Sequence, residues 1–336
     1  MKVIGIVFGG SSSEYSESIR ATRILYRNAL RKLESKYEFK YFLLTKSNKF
    51  ANAEDSEGII KKTLSKRYAP RDANYNRIIS LSKVDVIYST LMGTCGENGN
   101  IMGLADILKV PIIGCGILAS ALALDKQLSK ILVNSVSIPV VDYISAKKNS
   151  NTVDLVNNIK RTIGFPCFIK PTNLGTCAFA FKANDAGEFI EKWNETIAGN
   201  NYSDTYLIER FIPNIEVRVF IYEDSHGKLH ANDDYVTILR DGAIGSGGVL
   251  FDTLNNRLSE SMRKRIIHYA KKIFKLFGMK DYARIDFFVD KSTNKIYFNE
   301  ANTQPFIGSH AIEYMEKDGL SYSEFIHTMI QKNLRN

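Results

Sequence analysis

The 336-residue chain exceeds a typical single domain, so two or three domains with real cores are expected. Its composition is that of an ordinary soluble globular protein, and the absence of any run of about 18 apolar residues excludes a membrane-spanning helix. The net charge of +9 comes from lysines and arginines spread along the whole chain, with no dense basic block or nucleic-acid module, so it excludes nucleic acid as the expected partner and leaves a mild preference for small anions.

Residues 1–8 are a short apolar run without a cleavage-site pattern that flows into Gly9-Gly10-Ser11-Ser12-Ser13, which predicts a buried first strand over 3–8 in a cytoplasmic protein. A helix follows from Glu14 to Leu33, then strands at Phe39–Leu44, Val84–Ser89 and Pro111–Gly114; the polar stretch from Lys46 to Asn76 has only weak periodicity. Strands alternating with helices favour an open parallel sheet in an α/β unit over residues 1–120. A second unit, 121–212, is expected to hold a helix over 121–135, a strand around Val140–Ser145, a helix over 152–163 and a strand at Cys167–Lys170. It continues with a strand near Ala178–Lys182, a helix over 185–199 and a strand at Tyr206–Glu209. A third unit, 213–336, is read as a strand at 216–222, a helix over 257–277, a β-hairpin and a closing helix near 321–334. The four cysteines, Cys95, Cys115, Cys167 and Cys177, lack paired metal-ligand spacing, and the five histidines do not cluster, so zinc is not expected and the thiols read as reduced.

The hairpin carries the most chemistry. Phe287-Phe288-Val289 and Ile296-Tyr297-Phe298 flank a polar turn, and Arg284-Ile285-Asp286 and Asn299-Glu300-Ala301-Asn302 stand at its open end. Pairs two residues apart share a face of an extended strand, so Asp286, Glu300, Asn302 and Arg284 could line one face. Three oxygen ligands and an arginine suit Mg²⁺ on a polyphosphate; the alternative is a polar face turned to water.

Other segments have similar double readings. The turn at Gly9–Glu14 either binds an anion at a helix N-terminus or only caps the helix. Met92-Gly93-Thr94-Cys95-Gly96-Glu97-Asn98-Gly99 follows a strand, where α/β sheets bind ligands, but a structural loop competes. Lys170, ahead of Pro171 and the turn Thr172-Asn173-Leu174-Gly175-Thr176, and Lys126 after Asp125 could reach phosphates, though a strand-end lysine is commonly just solvated. Glu209 ends an apolar strand and could anchor a ribose or adenine, or simply face solvent.

Taken in order, these segments resemble the D-alanine–D-alanine ligase family of the ATP-grasp superfamily over nearly the whole chain. The most specific stretches are Gly114-Cys115-Gly116 with Ala119-Ser120-Ala121 through Asp125-Lys126, and Arg284-Ile285-Asp286 through Asn302-Thr303. The resemblance implies a three-domain ATP-grasp fold with the open parallel sheet at its N-terminus. It also implies a cytoplasmic ligase of peptidoglycan synthesis, in which ATP phosphorylates one amino acid's carboxylate and a second amino acid's amine attacks the acyl phosphate. By similarity, Lys126, Lys170, Gly175 and Thr176 would bind phosphates, and Glu209, Phe211, Ile212 and Glu216 would bind adenosine. Asp286, Glu300 and Asn302 would hold two Mg²⁺ ions, with Mn²⁺ an alternative, while Arg284 would stabilise the transferring phosphate and Glu14 would pair with the ammonium of the first amino acid. A homodimer, with neither nucleic acid nor membrane as partner, completes the expectation.

The substrate-side positions depart from the family pattern. Met92 replaces a histidine before Gly93, Gly175-Thr176-Cys177 replaces Gly-Ser-Ser, and Phe179 stands where a later glycine would be. The lid that normally carries Tyr-Asp-Tyr and Lys-Tyr is reduced to Asp233-Asp234-Tyr235-Val236-Thr237-Ile238-Leu239. In the C-terminal loop Phe306 stands in place of a glycine and Ala311 in place of a serine that holds the acceptor carboxylate, so the acceptor pocket is expected to be lined by Phe306, Ser309 and Ala311, with Met92 near the donor. Retained ATP and metal positions with altered acceptor positions imply either a D-alanine–D-alanine-type ligase or a related ligase for a different amino acid or amine. A non-catalytic nucleotide-binding paralogue is the third reading.

Overall fold

The computed structural model describes residues 1–62, 70, 76–175, 177–231, 258–307, 312, 315, 316 and 319–334, and the backbone alone of 235–239 and 249–253. Three sheets organise it. The first is parallel, in the order β2-β1-β3-β4, from β1 (Lys2–Gly9), β2 (Tyr37–Leu44), β3 (Val86–Ser89) and β4 (Ile112–Ile113). β1 is buried from Ile4 to Gly9, as a parallel strand covered on both faces must be. It ends at Gly9 and Gly10, with φ of +93° and +97°, where a side chain at Gly9 would collide with the Leu44 carbonyl. That turn delivers the chain into the helix Tyr15–Leu25, which continues through a π-helical turn, Tyr26–Leu30, to Leu33.

The second sheet is antiparallel, in the order β5-β8-β6-β7, from β5 (Tyr143–Lys147), β6 (Cys167–Pro171), β7 (Phe181–Ala183) and β8 (Thr205–Arg210). The helices Thr152–Thr162 and Ala186–Gly199 close a core around Phe189, Trp193 and Tyr206. β7 begins later than the sequence predicts because Cys177 and Phe179 take left-handed φ of 56° and 57° in a turn.

The third sheet runs β12-β11-β9-β13-β14, with β10 also paired to β9. Its strands are β9 (Asn214–Glu223), β10 (Leu229–Ala231), β11 (Tyr235–Leu239), β12 (Val249–Thr253), β13 (Tyr282–Asp290) and β14 (Ile296–Asn302). Strand alternation divides its faces. Val217, Val219, Ile221, Ala283, Ile285 and Phe287 face the helix Glu260–Leu276, while Phe220, Tyr222 and Tyr282 face the first sheet and the helix Tyr322–Leu334. The first and third sheets therefore share one apolar core.

Other elements also differ from the sequence reading, which did not foresee β10, β11 or β12. The helix expected over 121–135 is two helices, Ile117–Leu124 and Lys126–Ser135, because Asp125 is extended and its carboxylate caps the second by accepting from the Gln127 and Leu128 amides, each at 2.9 Å. Both helices pack against β14, and the second also reaches β8 of the second sheet through Lys130. A helix Ala53–Lys61 lies in the weakly periodic stretch; Asn52 caps it, and its buried face mixes Asp55, Ser56 and Gly58 with Ile59 and Ile60, which blurs the apolar period.

Asp281, just before β13, joins the C-terminal helix to both neighbouring sheets. Its carboxylate is 1% exposed and accepts from the Gly114 amide at 2.8 Å and the Asn333 side chain at 3.0 Å, and it pairs with Lys332 at 3.1 Å. Asp281→Ala leaves the buried Gly114 amide without its carboxylate and removes one partner each from Asn333 and Lys332, which keep the Met329 carbonyl and Glu223. Urea unfolding should show a loss on the order of 3 kcal/mol, with the transition shifted to lower denaturant.

Candidate active site

The face of the third sheet not covered by helix Glu260–Leu276 becomes polar towards one end, where β9 supplies Glu216 and Arg218 and β13 supplies Arg284 and Asp286. β14 reaches the same face through an irregularity. Phe287 pairs with Phe298, yet the preceding Asp286 pairs with Glu300, so Asn299 is an extra residue in a β-bulge. The bulge reverses the alternation. Ile296 and Phe298 point into the core, whereas Glu300 and Asn302 stand opposite Asp286 and Arg284.

Asp286 is fully buried and held in a fork by Arg284, with Nε to Oδ1 at 2.9 Å and Nη2 to Oδ2 at 2.8 Å; the Asn302 amide donates to Oδ2 at 3.5 Å. Burial opposes the Arg284 charge, but Asp286, Glu300 and Glu216 outweigh it and raise its pKa. Burial likewise pushes Glu300 up, but Lys126, Lys170, Arg284 and Arg218 prevail and hold it at about 2. Glu216 has the opposite outcome: burial raises it despite Arg218, whose Nε donates at 2.8 Å.

Lysines approach this face from the neighbouring elements. Lys126 Nζ lies 3.4 Å from Glu300 Oε2 and donates to the Leu174 carbonyl at 2.8 Å, tying the second helix's start to the 172–175 turn. Lys170 donates to Asn299 Oδ1 at 2.9 Å and pairs with Glu209 Oε2 at 3.0 Å. Glu209, expected to face adenosine, has Lys130 on its other oxygen, also at 3.0 Å. Burial raises the Glu209 carboxyl, but the two lysines outweigh this and hold it below its ordinary value. Ile212 is buried against Val141 and Tyr297, and Phe211 lies beneath the Lys182 ammonium at 4.2 Å.

Glu14 links the first sheet's turn to both glycine loops. A Cβ on Gly175 would stand 2.7 Å from Glu14 Oε1, and one on Gly93 would stand 3.5 Å from it. Burial raises the Glu14 pKa, opposed by Lys126. Glu97, from the second loop, joins the same electrostatic group: burial and then Glu14 push it up to about 8. Met92 is buried in the wall of a small cleft with Gln304, Pro305 and Ile307, and Phe306 instead lies under the Arg20 guanidinium at 4.4 Å. Thr176, Asp233, Asp234, Ser309 and Ala311 lie outside the described residues, as do the side chains of 235–239.

Residues 3–115 match the N-terminal family description "D-ala D-ala ligase N-terminus", and 132–331 match "D-ala D-ala ligase C-terminus". The chain belongs to the D-alanine–D-alanine ligase family. It is 31% identical to a D-alanine–D-alanine ligase of Acetivibrio thermocellus over 98% of this chain and 95% of that one, and 31% identical to one of Prochlorococcus marinus strain NATL2A over 98% and 97%. Among solved structures it is similar to the VanG D-Ala:D-Ser ligase of Enterococcus faecalis, with TM-score 0.82, 25% identity and 99% of each chain covered. The D-alanyl-alanine synthetase A of Vibrio cholerae, at 22% identity and TM-score 0.79, covers 100% of this chain and 99% of its own and matches in fold. The protein is an ATP-dependent ligase of this family with an ATP-grasp fold, and no helix among the described residues is long and apolar enough to cross a membrane.

Of the side chains that meet on this face, sequence reasoning singled out Glu14, Lys126, Arg284, Asp286, Glu300 and Asn302. It missed Lys130, Glu97, Arg218 and Asn299. Lys130 had a signal, since it lies one helical turn beyond Lys126 on the same face; Asn299 had none, since a bulge is not visible in apolar alternation. The raised Glu97 makes a pH-dependent outcome. Folded, it holds a proton between its ordinary 4.5 and about 8, so the folded state binds more protons than the unfolded chain and stability falls as pH rises through that window. Glu97→Gln should therefore gain in melting temperature over wild type between pH 5 and pH 8; a difference that stays flat across that range contradicts the assignment.

Proposed function

We propose that this ligase activates one amino acid carboxylate with ATP and joins it to the amine of a second, with D-alanine–D-alanine ligation as the first reading. The observation that carries it is the convergence of Glu14, Lys126, Arg284, Asp286 and Glu300 from separate segments onto one buried, charged face. The roles divide by chemistry. Lys126 and Lys170 are placed to meet phosphate oxygens, Gly175 leaves the 172–175 turn free of side chain beside Glu14, and the Glu14 carboxylate is available to an ammonium. Arg284, kept charged by its carboxylate neighbours, stabilises negative charge developing at the reacting carboxyl. Units 1–120, 121–212 and 213–336 would then supply, in order, the amino acid contact, the phosphate clamp and the metal and acceptor surface.

Magnesium fits the donor set. Asp286, Glu300 and Asn302 are hard oxygen donors on one face, Glu300 stays ionised, and among the described residues no three His, Cys, Asp or Glu side chains form a closed cage. Such an open set suits a cation that completes its shell with phosphate and water. Bound there, two Mg²⁺ ions, or Mn²⁺, would neutralise polyphosphate charge, and Arg284 holds one of the carboxylates, Asp286, in its fork.

A second reading is favoured by the acceptor loop. Phe306 adds a ring where a glycine is expected and is held under Arg20, itself gripped by Glu17, and the structurally similar VanG protein carries the description D-Ala:D-Ser ligase. A different acceptor follows from that bulk. ADP release measured with D-alanine alone, then with D-alanine and other D-amino acids, L-amino acids and simple amines, separates the readings. Weak release with D-alanine alone and faster release with a mixed pair is expected; an acceptor constant of about a millimolar or below for D-alanine points to the first reading instead. Glu300→Gln should abolish turnover while melting within a few degrees of wild type, and wild-type turnover by that variant would exclude the metal role.

A further inference from the structure

Lys130 is fully buried, one helical turn beyond Lys126, and faces inward from the helix Lys126–Ser135. Its ammonium lies 3.0 Å from Glu209 Oε1 and donates to the Phe298 carbonyl at 3.4 Å. The other Glu209 oxygen is 3.0 Å from Lys170 Nζ, which also donates to Asn299 in the β14 bulge. Two ammonium groups thus share one carboxylate, with exposures of 0% for Lys130, 8% for Lys170 and 3% for Glu209. A buried group with one cation in excess favours an anion nearby, because an uncompensated buried charge is costly. The two lysines are not equivalent. Lys170 is the less buried, and it adjoins the face with Glu300 and Lys126, whereas Lys130 is sealed between the helix, β8 and β14.

We infer that Lys130 is a positioning residue for the nucleotide: it is the standing counter-ion of Glu209, and this leaves Lys170 free to exchange Glu209 for a phosphate oxygen. This rests on the nucleotide reading of the site given above. When a phosphate draws Lys170 away, Glu209 retains Lys130 and no buried carboxylate is stranded. Without Lys130 the only cation on Glu209 is Lys170, and every contact Lys170 makes to a phosphate must be taken from an otherwise unpaired buried carboxylate. Burial already weakens the hold of Lys130 on its proton, lowering its pKa to about 8, which matches a lysine kept charged mainly by Glu209.

A thermodynamic cycle on ADP affinity, measured by calorimetry with folded protein, tests this. Lys130→Met should weaken ADP binding by about tenfold or more, although Lys130 touches no phosphate in this account. Combining it with Glu209→Gln should return the affinity to within about threefold of wild type, because nothing then holds Lys170 back. On a Lys170→Ala background Lys130→Met should have no further effect on ADP. A lysine that merely cross-links the helix to β8 gives different results: the double variant stays as weak as Lys130→Met, or the loss persists without Lys170, and either overturns the inference. Should Lys130→Met not fold, Lys130→Gln takes its place in the cycle. Wild-type protein that does not bind ADP at all fails at an earlier point, overturning the nucleotide reading itself.

Discussion

The fork between Arg284 and the fully buried Asp286 is the constraint on which the rest of the site depends. An ion pair in a protein interior must recover its lost hydration through geometry and further hydrogen bonds, and this one does so only because β13 lies between β9 and β14. β9 brings Glu216 and Arg218 alongside, and β14 brings Asn302 to Asp286 and Glu300 to the lysines. If β13 moved to a sheet edge, Asp286 would face water from one side. Its fork with Arg284 would then be an ordinary exposed pair of small value.

The remaining architecture delivers charged groups to that strand pair. The apolar core shared by the first and third sheets joins β1, which leads into the Gly9–Glu14 turn, to β9 and β13, and Asp281 fixes the start of β13 to the end of β4 and to the C-terminal helix. Glycine at 93 and 175 then matters sterically, since either loop with a side chain would press on Glu14 or Ser12. Packing and chemistry share the same residues. Lys126 begins a helix whose apolar side lies on β14, and its ammonium meets Glu300 on that strand.

The carboxylates show how position decides protonation. Glu209 and Glu216 are both buried and Glu300 and Glu97 both half-buried, yet Glu209 and Glu300 lie between lysines and are held low, while Glu216 and Glu97 are raised by burial with weaker cationic support. The same residue type therefore offers an acid and a base form within one site near neutral pH.

The sequence by itself determined the ligase family, most of the strands along the chain though not β10, β11 or β12, and the motifs that carry the charged side chains, because these depend on local apolar patterns and on residues kept within short segments. Glu14, Arg284 and Asp286 were legible for that reason. The tertiary structure alone decided the roles that depend on what stands opposite. The bulge at Asn299 turned Glu300 towards the site although the alternation of Ile296 and Phe298 would send it into the core. Glu209 was legible as a strand-end carboxylate, but its engagement by Lys130 and Lys170 requires β8 to lie beside β6 and under the helix Lys126–Ser135. Phe306 was legible as added bulk, and its stacking under Arg20 was not. A charge acquires its function from its partner, and partners distant in the chain meet only when the sheets are assembled.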